Sequence, residues 1–163
     1  MKWEQVSTTT GRETYELRQK DKKLLTLEFH PATNSSRIEY AAEKRVFLIR
    51  KEGFFNNKMV LCNEYGVRLG QLVHEKRESY IELNDKRFTY LIRNNPRPEL
   101  VIYKESKEKP LVVCGMDLNN ENISLAITEK KVLPNSLRSS LLLALSWYIS
   151  LPVAREHAVE YAL

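Results

Sequence analysis

The sequence contains few glycines and prolines, the residues that interrupt helices and strands, with five and six among 163 residues. It also has only two cysteines. So little glycine and proline excludes collagen-like chains and long flexible linkers. Two cysteines are too few for a disulfide framework, and Cys62 and Cys114 both lie in apolar segments. We therefore expect two buried free thiols within one globular domain that covers residues 1–163.

The sequence also lacks the motifs of common catalytic and cofactor sites. It has no HExxH, no Cys-x-x-Cys, no G-x-S-x-G, no calcium loop and no phosphate-binding loop. The three histidines, His30, His74 and His157, stand singly along the chain. We therefore expect no enzyme activity, no metal and no cofactor.

Charge of one sign is only slightly in excess, and secretory features are missing. Lys and Arg number 26 against 21 Asp and Glu, which gives a net charge of +5 at pH 7. A mildly basic surface favours anionic partners such as lipid headgroups.

The N-terminal residues MKWEQVSTTTGRETYE have no apolar segment typical of a signal peptide, so we expect a cytoplasmic protein, peripheral to a membrane if it meets one.

Most of the chain has the period of two that is typical of β-strands. Leu25, Leu27 and Phe29 alternate with Thr26 and Glu28, and the same pattern recurs at 38–40, 88–93 and 123–127. Turn-forming residues separate the apolar segments, and Asn84-Asp85 is the clearest hairpin signal. Roughly eleven or twelve short strands joined by tight turns predict an antiparallel sandwich or barrel.

One long apolar run interrupts this pattern near the C-terminal end of the sequence. Leu137–Leu151, LRSSLLLALSWYISL, carries no charge after Arg138. A helix that is apolar on every side must be surrounded by protein or lipid, and this run is shorter than the ~20 residues that span a bilayer. We predict a buried helix over about 136–151, capped by Asn135 or Ser136 and ended by Pro152. Residues 153–163 fit either a short amphipathic helix or a closing strand.

Simple geometry relates the helix to the strands. Twelve strands about 4.8 Å apart and tilted by about 40° close into a barrel with a backbone diameter near 24 Å. After about 5 Å of side chain is subtracted on each wall, the bore matches the ~10–12 Å width of a helix. We therefore predict a mainly β fold, a closed antiparallel barrel of about twelve strands that encloses the hydrophobic C-terminal helix.

Two stretches carry a resemblance to a known family. One is the apolar helix, Ser136–Leu151, and the other is Arg45–Val73, RVFLIRKEGFFNNKMVLCNEYGVRLGQLV, with paired strands around a short turn that ends in Gly. Both are similar to the tubby C-terminal-like superfamily, which includes tubby-like proteins, LURP-one-related proteins and phospholipid scramblases. The resemblance implies a twelve-stranded closed barrel threaded by a hydrophobic helix.

Basic residues near predicted turns are the candidate binding residues. They form a group around one turn and two further groups at strand ends: Arg18, Lys20, Lys22, Lys23; Arg50, Lys51; and Arg93, Arg97. Cations at one end of a barrel would bind an anionic headgroup, each adding about 1 kcal/mol near an anionic membrane. The same residues at strand ends also suppress aggregation, which leaves a purely solubilising role open.

These observations favour a non-enzymatic binding module with an outer basic patch for an anionic phospholipid headgroup or a protein partner. A membrane-associated, scramblase-like protein is the first alternative, in which Leu137–Leu151 inserts into lipid. A small-molecule-binding β-barrel with the helix outside is the second. Nucleic acid is disfavoured because no strand carries the aromatic and basic residues of an RNA-binding sheet.

Overall fold

The computed structural model describes residues 1–33, 35–40, 43–52, 58–75, 78–94, 97–104, 107–117, 122–127 and 136–161, with the side chains of 43, 116–117, 122–127 and 154–161 left out of the description. Within these residues lie twelve strands and one helix. Their bounds are β1 Lys2–Thr9, β2 Arg12–Gln19, β3 Lys22–His30, β4 Ser35–Tyr40, β5 Glu43–Glu52, β6 Lys58–Asn63, β7 Arg68–His74, β8 Ser79–Leu83, β9 Lys86–Asn94, β10 Pro98–Tyr103, β11 Pro110–Asp117, β12 Asn122–Ile127 and α1 Leu137–Tyr161.

Each strand pairs antiparallel with the next one along the chain, from β1 to β12. β1 has a second neighbour, because Lys2 pairs with Ser124 and Trp3 with Ile123 of β12. The order of neighbouring strands therefore returns to its starting point. Among the described residues, two residue pairs form this seam, against seven that join β1 to β2.

The predicted alternation is confirmed in β3, and the predicted hairpin is confirmed. At 88–93 the exposed Ile92 departs from the alternation, and the side chains of 123–127 lie outside the described residues. Leu25 and Leu27 are buried at 1% exposure each, while Thr26 and Glu28 between them are partly exposed. Asn84 and Asp85 form the two-residue connection between β8 and β9, with φ angles of 47° and 61°. Asn and Asp tolerate this left-handed backbone, which matches the twist of the paired strands.

The helix α1 packs against the inner face of the sheet, as the sequence predicts. From Ser139 to Leu151 every side chain is buried except that of Tyr148, which is partly buried. Trp147 is 1% exposed and meets aromatic rings from three strands, at centroid distances of 6.4 Å to Trp3, 4.6 Å to Tyr15 and 5.5 Å to Phe29. The mainly β fold with a C-terminal helix packed on an antiparallel sheet is therefore confirmed.

Other strands contact other faces of the helix. The thiol of Cys114 on β11 lies beside the hydroxyls of Ser146 and Ser150. A void of about 10 Å³ separates Leu141 and Leu145 from side chains of β3 to β6. Because the helix meets β1–β3, β3–β6 and β11 on different faces, an all-round apolar helix is physically consistent here.

The predicted end of the helix at Pro152 is wrong. The helix continues through Pro152 to Tyr161. A proline in a helix interior costs about 3 kcal/mol, since it removes one hydrogen bond and crowds the preceding turn. The residues that follow, VAREHAVEY, include Ala, Arg and Glu, which favour helix, and contain no glycine to end it.

The N-terminal cap is Ser136. Its hydroxyl oxygen accepts a hydrogen bond from the Ser139 amide at 3.3 Å, and its carbonyl oxygen accepts one from the Ser140 amide at 3.0 Å. The other predicted cap, Asn135, lies outside the described residues. Within the helix, the Ser146 hydroxyl donates to the Leu143 carbonyl oxygen at 2.6 Å. This buried hydroxyl therefore has a partner in its own helix and needs none from the sheet.

Candidate functional site

Antiparallel pairing assigns every connection to one of two ends of the sheet. Connections that follow even-numbered strands lie at one end, which we call the Lys20 end, and those that follow odd-numbered strands lie at the other, the Arg97 end. The predicted basic residues divide between them, because Arg18, Lys20, Lys22 and Lys23 surround the β2–β3 turn, whereas Arg50, Lys51, Arg93 and Arg97 lie towards the Arg97 end. They do not form one patch.

The first group, which we call the β2–β3 cluster (Arg18, Lys20, Lys22, Lys23), is compact. Arg18 and Lys23 are directly opposite each other across the hairpin, and Lys22 is opposite Gln19. Lys20 is in the turn itself, with a φ of 54°. Lys20, Lys22 and Lys23 are exposed to solvent. The hairpin thus presents four cations within a few residues of one turn.

One carboxylate balances part of this charge. Glu16 forms an ion pair with Arg18 at 2.5 Å and a longer one with Lys23 at 3.8 Å. Arg18 also donates to the carbonyl oxygen of Asp21 at 3.3 Å, which ties it to the turn. Partly exposed ion pairs of this kind contribute little to folding stability. Lys20 and Lys22 therefore carry the charge of the cluster that is most available to an anionic partner.

The second and third groups are separated from each other. Arg50 and Lys51 lie on β5, and Arg93 lies on β9, with three strands between them. Four strand spacings of about 4.8 Å amount to about 19 Å along the sheet. Arg93 donates a hydrogen bond to the hydroxyl of Tyr103, so its side chain is held on its own hairpin. These residues are exposed, but the sheet does not bring them together.

The Lys20 end also exposes apolar side chains. Tyr65 and Val67, in the β6–β7 turn, are 83% and 56% exposed. The side-chain oxygen of Asn63 accepts hydrogen bonds from the Tyr65 amide at 3.0 Å and the Val67 amide at 2.9 Å, and Gly66 has a φ of 78°. The Asn63 side chain therefore braces this Asn-Glu-Tyr-Gly turn, which exposes the aromatic ring of Tyr65 to solvent.

A cleft that sequence reasoning missed lies beside the β7–β8 connection. Its volume is about 390 Å³, and its lining residues are His74, Glu75, Glu78, Ser79, Thr89, Tyr90, Leu91, Ile92 and Lys107. His74 and Ser79 are cross-strand neighbours, with 2.8 Å between the Ser79 hydroxyl and the His74 Nδ1. Burial raises the pKa of the Tyr90 hydroxyl, which is hydrogen-bonded to Ser79. No spacing in the sequence marks these residues as neighbours, since only the strand register pairs them.

The acidic residues of the predicted turns, Asp21, Asp85 and Asp117, and the single histidines form no further centre in the described part of the chain. There, no three His, Cys, Asp or Glu side chains lie together as metal ligands would. Asp21 and Asp85 occupy turns, as expected from their backbone preferences. The side chains of Asp117 and His157 lie outside the description.

The two cysteines are free and buried, as the sequence predicts. Burial raises the pKa of the Cys114 thiol from 9.0 to about 12, although the neighbouring Ser146 and Ser150 hydroxyls lower it. At pH 8 this shift reduces the thiolate fraction about a thousandfold. In a Cys62→Ser variant we expect Cys114 to resist a thiol reagent in the native state and to react rapidly in denaturant. Native labelling at the rate of the unfolded chain would contradict its burial.

The same thiol makes stability depend on pH in the alkaline range. Between pH 9 and pH 12 the unfolded chain loses the Cys114 proton while the native protein keeps it, so stability falls as pH rises. At pH 10 we expect this loss to be about 1.4 kcal/mol relative to pH 8. Urea unfolding at both pH values should show the loss in a Cys62→Ala control and not in Cys114→Ala.

Comparison with protein-family models, with curated proteins and with solved structures finds no match to this chain. Within the described residues, no helix is both long enough and apolar enough to cross a membrane.

Proposed function

We propose that this chain is a non-enzymatic module that binds anionic phospholipid headgroups at a membrane surface through the β2–β3 cluster. The observation that carries the proposal is the placement of Lys20 and Lys22, exposed at the turn, at the same end of the sheet as the exposed Tyr65. Four strand spacings, about 19 Å, separate the two turns, so they form no single pocket, but one flat membrane surface can contact both. Lysines near an anionic surface contribute about 1 kcal/mol each, and tyrosine favours the interface between water and lipid. In this mode the protein is cytoplasmic and peripheral to the membrane.

We further propose that the architecture is a closed twelve-stranded barrel around α1, of the tubby C-terminal-like type. The pairing of β1 with both β2 and β12 and the burial of Ser139–Leu151 support this assignment. The turn around Asn63 and Gly66 also has the form that the resemblance implies for Arg45–Val73. A high-resolution experimental structure tests it through the β1–β12 seam.

Two alternatives are less well supported. A scramblase-like mode requires a lipid-facing helix, whereas Leu141–Leu151 is covered by protein on the faces that contact β1–β6 and β11. A ligand inside the sheet requires space beside the helix, and the voids described there are about 10 Å³ each. Because one water needs about that much volume, neither void holds an organic ligand. A protein partner for the β2–β3 cluster is an outcome of the experiment below.

Vesicle flotation tests the lipid proposal directly. With phosphatidylcholine vesicles that contain phosphatidylserine, we expect binding that weakens as salt is added, and no binding to phosphatidylcholine alone. The double variant Lys20→Ala/Lys22→Ala should bind about 30-fold more weakly, which corresponds to about 2 kcal/mol for two cations.

A matched variant separates this cluster from general surface charge. Lys51→Ala/Arg97→Ala removes the same charge from the Arg97 end and should change binding less than twofold. An equal loss in both double variants would reject the β2–β3 cluster as the site. Binding that ignores lipid charge would reject the headgroup itself and leave a protein partner as the function to pursue.

A further inference from the structure

We propose that the cleft beside the β7–β8 connection is a second binding site, which takes a small zwitterion: a molecule with an ammonium group and an acid group on a short apolar scaffold. Its volume of about 390 Å³ lies within the range of about 300–1,000 Å³ typical of ligand sites. The site is separate from the β2–β3 cluster and does not depend on the membrane function proposed above.

Within the described residues, β8 pairs with only the first part of β9, and the cleft lies beside the rest. β8 pairs with β9 only as far as the Ser79–Tyr90 pair, whereas β10 pairs with β9 through Asn94. Leu91–Asn94 therefore has a paired strand on one side alone within the described residues. Ile92, on the exposed part of β9, is 38% exposed, although large apolar side chains of β9 nearer β8 are buried. This edge supplies an open apolar wall.

One part of the cleft offers donors to an acid group. The buried Tyr90 hydroxyl, the Ser79 hydroxyl and His74 form a continuous hydrogen-bonded chain. When His74 is neutral and its Nδ1 accepts from Ser79, the imidazole proton is on Nε2, which is then a donor. The exposed ammonium of Lys107 lines the same cleft. Because the Tyr90 and Ser79 hydroxyls donate within this hydrogen-bonded chain, the His74 Nε2–H and the Lys107 ammonium are the donors left for a carboxylate or phosphate.

The rest of the polar lining suits a cation. Glu75 and Glu78 both line the cleft and are exposed to solvent. Glu78 accepts a hydrogen bond from the Thr89 hydroxyl at 3.3 Å, which holds its carboxylate against β9. Leu91 and Ile92 lie along the same strand and provide apolar contact. Opposite charges in one cleft therefore select a ligand that carries both, over an anion or a cation alone.

Leucine and two of its derivatives form a probe set that isolates each charge. N-acetylleucine lacks the ammonium group and leucine amide lacks the carboxylate, while the side chain is constant. We expect leucine to cause saturable shifts in the ¹H–¹⁵N resonances of Ser79, Leu91 and Ile92. Each derivative should bind about fivefold more weakly or worse, as expected for the loss of one exposed ion pair.

Two substitutions assign the charges to residues. Glu78→Gln should weaken the binding of leucine about fivefold. It should not weaken the binding of N-acetylleucine, which has no ammonium group to pair with Glu78. Lys107→Ala should likewise weaken the binding of leucine and leave the binding of leucine amide unchanged. Glu64→Gln and Lys109→Ala are matched controls, since both positions are exposed and neither lines the cleft.

Three results would overturn the proposal. The first is the absence of saturable shifts with leucine in the folded protein. The second is equal binding of leucine and both derivatives, which would mean that charge is not recognised. The third is an equal loss for leucine and N-acetylleucine in Glu78→Gln, which would assign Glu78 to the fold and not to the ligand.

Discussion

Replacing Leu143 with aspartate is expected to unfold the domain. Leu143 is 0% exposed and lies in the middle of the buried part of α1, among Leu142, Ala144 and Trp147. Removal of a buried leucine side chain costs about 2–5 kcal/mol, and an unpaired buried carboxylate adds several more. Because a domain of this size is stable by only about 5–15 kcal/mol, the sum removes most or all of its stability. Circular dichroism and chemical denaturation measure the loss.

A second aspartate in the same helix provides the control. Arg138 is exposed in the first turn of α1, so Arg138→Asp introduces a carboxylate that water can solvate. A negative charge near a helix N-terminus is also favourable by a few tenths of a kcal/mol. We therefore expect Arg138→Asp to unfold at nearly the wild-type denaturant midpoint. Native stability in Leu143→Asp would show that the helix is not buried as described.

Gly70→Ala is expected to give the second-largest loss of stability. A Cβ at this position would lie 2.1 Å from the carbonyl oxygen of Glu82 and 2.8 Å from a methyl carbon of Leu83. The oxygen belongs to the backbone of β8, so no side-chain rotation relieves the contact, and β7 and β8 must move apart. Overpacking of this kind costs about 3 kcal/mol. Urea denaturation at equilibrium measures it.

Gly115→Ala is the matched substitution in another strand. A Cβ at Gly115 meets no atom within 4 Å among the residues whose side chains are described, so the methyl group has space there. Alanine also loses less backbone freedom on folding than glycine, by about 0.5–1 kcal/mol. We expect Gly115→Ala to be neutral or slightly stabilising. If both substitutions had the same effect, close approach of β8 to Gly70 would not be the cause.

Local sequence patterns predict the elements of this fold well. Alternation identifies β3 because Leu25 and Leu27 bury their side chains on one face while Thr26 and Glu28 stay partly exposed. Asn84-Asp85 identifies its hairpin because both residues adopt positive φ. The uncharged run in α1 predicts burial because the helix has no charged face to expose to water. Each of these signals is contained in a few consecutive residues.

Such local patterns do not predict properties that depend on the register and direction of paired strands. The basic residues divide between two ends of the sheet because strand direction alternates, and spacing along the chain does not show which turns share an end. His74, Ser79 and Tyr90 come together only because β7, β8 and β9 pair in one register. The prediction that the helix ends at Pro152 is wrong for a different reason. The helix-favouring residues after Pro152 outweigh the tendency of proline to end a helix.

The position of α1 in the chain bears on how the protein is made. All twelve strands precede the helix, so they leave the ribosome before the side chains of Leu141–Leu151 that fill their inner face. During that interval the nascent sheet exposes an apolar surface, which makes it prone to aggregate. Ribosome-bound chains that end before Ser136 should therefore recruit chaperones that bind apolar segments, and release of the finished chain from the ribosome, which lets α1 pack, should displace them.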